Sequence, residues 1–72
     1  MAVRCEILET FIEFPATASG YHKELNLVKW GEHSPKYDLR SWNDDRSKMG
    51  KGLTFSKSEL ELLKAELNKM DI

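Results

Sequence analysis

Residues 36–54 carry side chains whose types and spacing suit the binding of an unpaired nucleic acid. In the first part, Lys36 to Trp42, successive side chains face opposite sides of a strand, which places Lys36, Asp38, Arg40 and Trp42 together. One face therefore presents two cations and an indole, and the other can cover a core. Unpaired bases stack on aromatic side chains, while phosphates need counter-charge. The pattern predicts a strand face that binds single-stranded DNA or RNA.

The second part of this stretch reads as a polar loop. It carries the further cations Arg46, Lys48 and Lys51, and it is interrupted by Gly50 and Gly52. We interpret the two glycines as a source of backbone freedom at the entry to a fourth strand. They do not form a phosphate-binding P-loop, because that motif needs a strand directly before it and a helix directly after it.

The hydrophobic pattern predicts four strands at residues 3–14, 21–30, 36–42 and 53–55, followed by a helix from 56 to about 68. The end of the first strand is apolar on both sides, which leaves a bulge and a second buried surface as alternatives. In the second strand, Leu25 and Leu27 are expected on the core side. The fold class is therefore α+β, with a four-stranded antiparallel sheet that has one face left uncovered by its single helix.

The predicted helix has a clear start and one apolar side. Ser56 stands three residues before Glu59, which is the spacing of a capping box. Leu60, Leu63 and Leu67 recur at helical spacing and form a stripe that belongs in the core or in a dimer interface.

Length and composition favour one small domain, residues 1–72, in a reducing compartment. The chain has 72 residues and one cysteine, Cys5, so no intrachain disulfide can form. A domain of this size buries little surface alone, and a dimer is expected. No signal-peptide pattern or membrane-spanning run is present in the sequence, which favours a cytoplasmic location.

The distribution of charge says more than the net charge of −1. Residues 1–20 hold one Arg against three Glu, which gives −2, and residues 53–72 hold three Lys against four acids, which gives −1. Residues 21–52 hold seven Lys or Arg against five acids, which gives +2. The centre is the net-positive part of the chain, although mixed charge of this kind is common on protein surfaces.

Metal and enzyme chemistry are poorly represented. The spacing of Cys5, His22 and His33 matches no zinc pattern, and Asp44 and Asp45 are better explained as turn residues. No nucleophile, base and orienting residue are recognisable together. We therefore expect no enzymatic activity, no metal, no cofactor and no small-molecule substrate.

From residue 23 to residue 67 the sequence resembles the single-stranded-DNA-binding domain of the transcriptional coactivator positive cofactor four, especially its short bacterial YdbC-like members. The resemblance lies in three segments in the same order: Lys36 to Trp42, residues 48–54, and the capped helix. It implies a homodimer whose curved sheets bind single-stranded nucleic acid with little sequence specificity, with the helices packed behind them. A role as an accessory factor in transcription or DNA maintenance follows as an expectation.

The resemblance also assigns roles to individual residues. Arg40 matches the arginine of the family's Asp-hydrophobic-Arg motif, Trp42 falls among the aromatics after it, and Lys48 and Lys51 match basic loop positions. Lys29 and Lys36 flank a turn that the family uses as a basic wing, but residues 31–35 here include an acid and no lysine. The complete set expected to bind nucleic acid is Tyr21, Lys23, Lys29, Trp30, Lys36, Arg40, Trp42, Arg46, Lys48 and Lys51.

A second class of function competes with this one. The near-neutral charge is compatible with a protein-interaction module that uses the same exposed sheet face to dock a polypeptide. The sequence leaves this alternative open, as it does the choice between DNA and RNA.

Overall fold

The computed structural model describes residues 5–72, so the expected start of the first strand at Val3 lies outside the described residues. Four strands and one helix follow one another along the chain. They are β1 (Cys5–Glu13), β2 (His22–Trp30), β3 (Lys36–Trp42), β4 (Met49–Phe55) and α1 (Lys57–Leu67). The strands form one antiparallel sheet in the order β1-β2-β3-β4. The predicted α+β fold, with a four-stranded antiparallel sheet and a C-terminal helix, is confirmed.

Strand β4 begins at Met49, earlier than the predicted start at residue 53, because its glycines are part of the strand. Gly52 lies opposite Arg40, and a Cβ atom at Gly52 would lie 2.2 Å from the Cβ of Arg40. Neither Gly50 nor Gly52 has a positive φ. The interpretation of these glycines as flexible loop residues is therefore wrong, and at Gly52 the requirement is for a close approach between strands.

Bulges explain the apolar residues on both sides of β1. The register between β1 and β2 shifts between Ile7 and Glu9, and again between Thr10 and Ile12. Ile12 then lies opposite Leu25, and the ring of Phe11 lies 5.7 Å from that of Tyr37. Of the two alternatives, the structure shows the bulge, which brings both apolar side chains to the same face.

One sheet face is apolar and half open. Cross-strand pairs place four leucines on it, and we call it the leucine face: Leu25, Leu27, Leu39 and Leu53. Leu25, Leu27 and Leu39 are half-buried, and Leu53 is 64% exposed. This is the side on which we expected the core, but it holds no fully buried leucine within the described residues.

The opposite face, which we call the polar face, holds the fully buried side chains. It carries alternate residues of β2 and β3: His22, Glu24, Asn26, Val28 and Trp30, with Lys36, Asp38, Arg40 and Trp42. Glu24, Asn26 and Asp38 are completely buried, as is Val28, while Trp42 is 3% exposed. Their burial is compensated by hydrogen bonds: Asn26 Nδ2 and Arg46 donate to Glu24, and Arg40 donates to Asp38 on the same strand.

Helix α1 begins where the capping box predicted. The Ser56 Oγ accepts a hydrogen bond from the Glu59 backbone N–H at 3.2 Å, and the Ser56 N–H donates to Glu59 Oε1 at 2.8 Å. The helix contacts only β3 and β4 among the described elements. Leu60 and Leu63 are half-buried, and Leu67 is exposed. Much of its apolar stripe therefore faces outward in a single chain.

Candidate nucleic-acid interface

A groove with a volume of about 690 Å³ opens on the polar face, beside the turn between β2 and β3. Its wall combines an indole, two cations and a thioether. The lining residues are Trp30, His33, Ser34, Lys36, Arg40, Met49 and Thr54. We call it the Trp30 groove. Its mixture of planar, apolar and cationic side chains matches what a stacked base and its phosphate require.

One wall of this groove holds a cation–π pair, Arg40 over Trp30. The guanidinium carbon lies 4.9 Å from the centre of the Trp30 ring, which is the geometry of a cation–π contact. Arg40 also forms a bidentate ion pair with Asp38, in which Nε and Nη2 donate to the two carboxylate oxygens at 2.8 and 2.9 Å. The charge of Arg40 is thus balanced within the protein.

Trp42 does not occupy the position expected for a base-stacking residue. It is 3% exposed, and its neighbours across the sheet are His22 on β2 and Met49 on β4. An incoming base cannot reach a ring that is covered in this way. Alternation predicted that Trp42 shares a face with Arg40, and the structure places it there, but its burial argues against the expected stacking role, and Trp30 is the tryptophan at the groove.

Arg46 is committed to an internal network instead of a solvent-facing site. From the loop between β3 and β4, its Nη2 lies 2.7 Å from Glu24 Oε1 and donates to Thr10 Oγ1 at 2.9 Å. Its Nε donates to the other oxygen of Glu24 at 3.2 Å. Arg46 also has a positive φ of 61°, an uncommon conformation for a side chain of this size. We therefore reassign Arg46 from phosphate binding to holding this loop on the sheet.

The buried carboxylate of Glu24 is stabilised in its ionised form. Burial raises the pKa of Glu24, but hydrogen bonds with Arg46, Asn26 and His22 outweigh burial and hold the pKa below its ordinary value of 4.5. The hydrogen bond to Glu24 also raises the pKa of Arg46. Asn26 Nδ2 donates to Glu24 Oε1 at 3.0 Å, which adds a further partner from the same strand.

Glu13, His22 and Glu24 also bring potential metal-ligand atoms within 4.8 Å of one another. The guanidinium of Arg46 already lies among them, 2.7 Å from Glu24 and 3.9 Å from Glu13. A metal ion would have to displace this cation from the buried carboxylate. The chemistry of the cluster is therefore that of an ion-pair network, which sequence spacing alone did not reveal.

The remaining predicted residues are divided between different surfaces. Lys23 lies opposite Ser41 on the leucine face, and by strand alternation Tyr21 and Lys29 point to the same side. Lys29 Nζ donates to the backbone oxygen of Gly31 at 2.8 Å. The structure thus separates these three residues from Trp30, Lys36 and Arg40.

Lys48 and Lys51 are exposed at the start of β4. The backbone N–H of Lys48 donates to Asn43 Oδ1 at 2.9 Å, which fixes the main chain while leaving the side chain in solvent. The Asn43 side chain thus orders the end of the loop. Both lysines remain available as counter-charges.

No family model matches the sequence. A protein of Treponema pallidum (strain Nichols) described as uncharacterized is 34% identical over 67 residues, which cover 93% of this chain and 79% of the relative. The chain belongs to the same family as this protein. The relative's description names no activity. Membership of this family therefore indicates a shared fold but no function, which has to be inferred from the geometry of the site. Within residues 5–72, no helix is long and apolar enough to cross a membrane.

Sequence reasoning missed the residues that hold the site in place. Asp38 and Gly52 both contact Arg40 from positions that share its face, and Glu24 binds Arg46 across the sheet. Alternation did place Asp38 beside Arg40 on one strand face, but its role as the ion-pair partner of Arg40 was not predicted. The partners of Gly52 and Glu24 depend on strand register and loop conformation, which the sequence pattern does not specify.

Proposed function

We propose that this protein binds single-stranded nucleic acid, with DNA as the first candidate and little sequence specificity, through the Trp30 groove. The observation that carries the proposal is the Arg40–Trp30 stack at the wall of an open groove. Aromatic rings and guanidinium planes are the side-chain groups on which unpaired bases stack. A duplex keeps its bases stacked inside, so it does not offer them to such a surface.

In this proposal the counter-charge for the phosphates comes from exposed lysines. Lys36 is exposed and lines it, and Lys48 and Lys51 are exposed on β4 and the loop before it. Arg40 and Arg46 are each paired with a buried carboxylate and add less to the net positive charge. We therefore expect the protein to bind nucleic acid with a modest electrostatic contribution combined with base stacking, which agrees with its net charge of −1.

We also propose that the functional unit is a homodimer in which a second copy covers the leucine face and the helix. Leu53 and Leu62 are 64% and 63% exposed. The resemblance to the positive cofactor four domain supports the same arrangement, because members of that family bind single strands as dimers. Such a dimer would leave the polar faces of both copies open to one strand and suit an accessory role in transcription or DNA maintenance.

A polypeptide is the second candidate ligand for the same groove. The pairing of Arg40 with Asp38 lowers the positive charge at the groove, while Trp30 and Met49 give it apolar walls. These features would also suit an extended peptide. Salt distinguishes the two candidates, since binding to phosphates weakens with salt and apolar docking changes little.

The test is fluorescence anisotropy of a labelled oligothymidine of about 20 nucleotides, titrated with this protein at several salt concentrations. We expect binding at low salt whose log affinity falls by about 0.7 per phosphate contact for each tenfold increase in salt. Unlabelled duplex DNA should compete poorly. The variant Lys36→Gln should bind more weakly, with a salt dependence that is shallower by about 0.7, because it removes one contact.

Two results would contradict the proposal. One is the absence of binding at low salt, and the other is equal competition by duplex and single-stranded DNA. Lys64→Gln provides a matched control, since Lys64 is an exposed lysine on α1, away from the residues that line the groove. It should bind as the unmodified protein does.

A further inference from the structure

The hydrogen bonds of Arg40 are directed into the protein. Two of its nitrogens donate to Asp38, and the third, Nη1, donates to the backbone oxygen of Gly50 at 3.3 Å and approaches Met49 Sδ at 3.4 Å. Four of its five N–H donors therefore have partners within the chain, and one N–H of Nη2 is left over. A phosphate oxygen could form a bidentate pair with Arg40 only by displacing one of these partners, of which the Asp38 carboxylate is a charged, bidentate one.

The guanidinium group also lies against an aromatic ring. Arg40 lies over the Trp30 ring with its side chain 14% exposed, at the wall of the Trp30 groove. An arginine plane is able to stack on a base, as an aromatic ring does, without using its hydrogen-bond donors. The geometry thus favours contact with a base over contact with a phosphate.

Two residues fix this orientation. The side chain of Asp38 is fully buried, and its carboxylate accepts hydrogen bonds from Nε and Nη2 of Arg40. Gly52, directly across from Arg40 on β4, leaves room for the arginine, since a Cβ atom there would lie 2.2 Å from Arg40 Cβ and 2.9 Å from Arg40 Nε. A side chain at position 52 would push Arg40 out of its place above the sheet.

We propose that Arg40 acts as a planar stacking group for an unpaired nucleobase, and that Asp38 and Gly52 are the positioning residues that hold it against Trp30. This inference rests on the proposed function, because it specifies which part of the nucleic acid the groove contacts. Lys36 then supplies the counter-charge to the adjacent phosphate.

The variant Asp38→Asn separates the two possible roles of Arg40, because they predict opposite effects. It frees the guanidinium charge, so a phosphate-binding Arg40 would bind DNA more tightly with a steeper salt dependence. A stacking Arg40 loses its orientation, and affinity for oligothymidine should fall by about five-fold or more, the lower end of the effect of one stacked base. Anisotropy titrations over a range of salt concentrations measure both quantities.

Glu32→Gln is the matched control, because it makes the same charge change at an exposed turn residue that has no contact with Arg40. It should bind DNA as tightly as the unmodified protein, or slightly more tightly. If Asp38→Asn binds at least as tightly as Glu32→Gln, the stacking role is wrong. If the unmodified protein binds no oligothymidine at any salt concentration, the proposed function itself fails, which is a different result.

Circular dichroism shows whether Asp38→Asn is folded. If it is not folded, the variant Arg40→Lys tests the proposal instead, since lysine keeps the positive charge and lacks the planar guanidinium. We expect about five-fold weaker binding with the salt dependence unchanged. Affinity equal to that of the unmodified protein would overturn the proposal, because charge alone would then be sufficient.

Discussion

The two tryptophans of the polar face differ in exposure, and we therefore expect one to contribute to binding and the other to stability. Trp30 is half-buried at the groove, whereas Trp42 is 3% exposed. Trp30→Ala should reduce affinity for oligothymidine by about 1 to 3 kcal/mol, the value of one stacked base, with little change in thermal stability. Trp42→Ala should instead lower the free energy of unfolding by about 3 to 5 kcal/mol, because it leaves a cavity.

Anisotropy titration and urea denaturation of both variants measure the two effects. Trp30→Phe is the control, since it keeps an aromatic ring at the groove and should retain part of the affinity. The assignment would be refuted if Trp42→Ala remained as stable as the unmodified protein and lost DNA binding. That result would return the stacking role to Trp42.

Arg46 holds the loop between β3 and β4 on the sheet, because it pairs with Glu24 on β2 and donates a hydrogen bond to Thr10 on β1. Arg46→Met should lower the free energy of unfolding by about 2 to 4 kcal/mol, because it leaves the buried Glu24 carboxylate without its cation. The Arg46 side chain is 36% exposed, so water replaces part of the interaction and the loss is smaller than for a fully buried pair. Lys48→Met, an exposed position on the same loop, should have almost no effect.

The pH dependence of unfolding identifies the carboxylate as the cause. Because the pKa of Glu24 is lower in the folded state than its ordinary value of 4.5, its contribution is fully present above about pH 4.5. This contribution is lost as the pH falls through the lower folded-state pKa. Urea denaturation between pH 3 and 7 should show a smaller acid-induced loss in Arg46→Met. An unchanged acid profile in that variant would mean that other groups control acid stability.

The elements themselves were largely predictable, whereas the contacts between them were not. Alternation identified β2 and β3, and the capping box identified the start of α1. The early start of β4 and the covering of Trp42 were missed, because both depend on what lies opposite in the sheet. Gly52 reads as a loop residue until Arg40 is placed across from it. Local patterns define strands, but the site depends on cross-strand register.

At the scale of the whole molecule, few apolar side chains are fully buried in the described part of the chain, and we expect a single copy to be marginally stable. Within residues 5–72, the fully buried apolar side chains are Val28 and Trp42, and both lie on the polar face. On the helix, Leu62 and Leu67 are exposed as well. A patch of this kind on a small domain marks an interface between proteins. A second copy of the chain packed on this patch would bury it, because a stable dimer interface covers a large surface on each partner.

We therefore predict that the protein is a dimer at micromolar concentration, with twice the chain mass of 8.3 kDa in sedimentation equilibrium. Leu53→Lys should dissociate it, because a lysine on the leucine face of the edge strand β4 would be buried without a partner in the dimer and solvated in the monomer. Thr54→Lys is the control, since the neighbouring residue on β4 points to the polar face and should leave the dimer intact. A stable, cooperatively unfolding monomer would contradict the prediction, and it would show that the half-buried leucines and the ion pairs suffice to hold this sheet together.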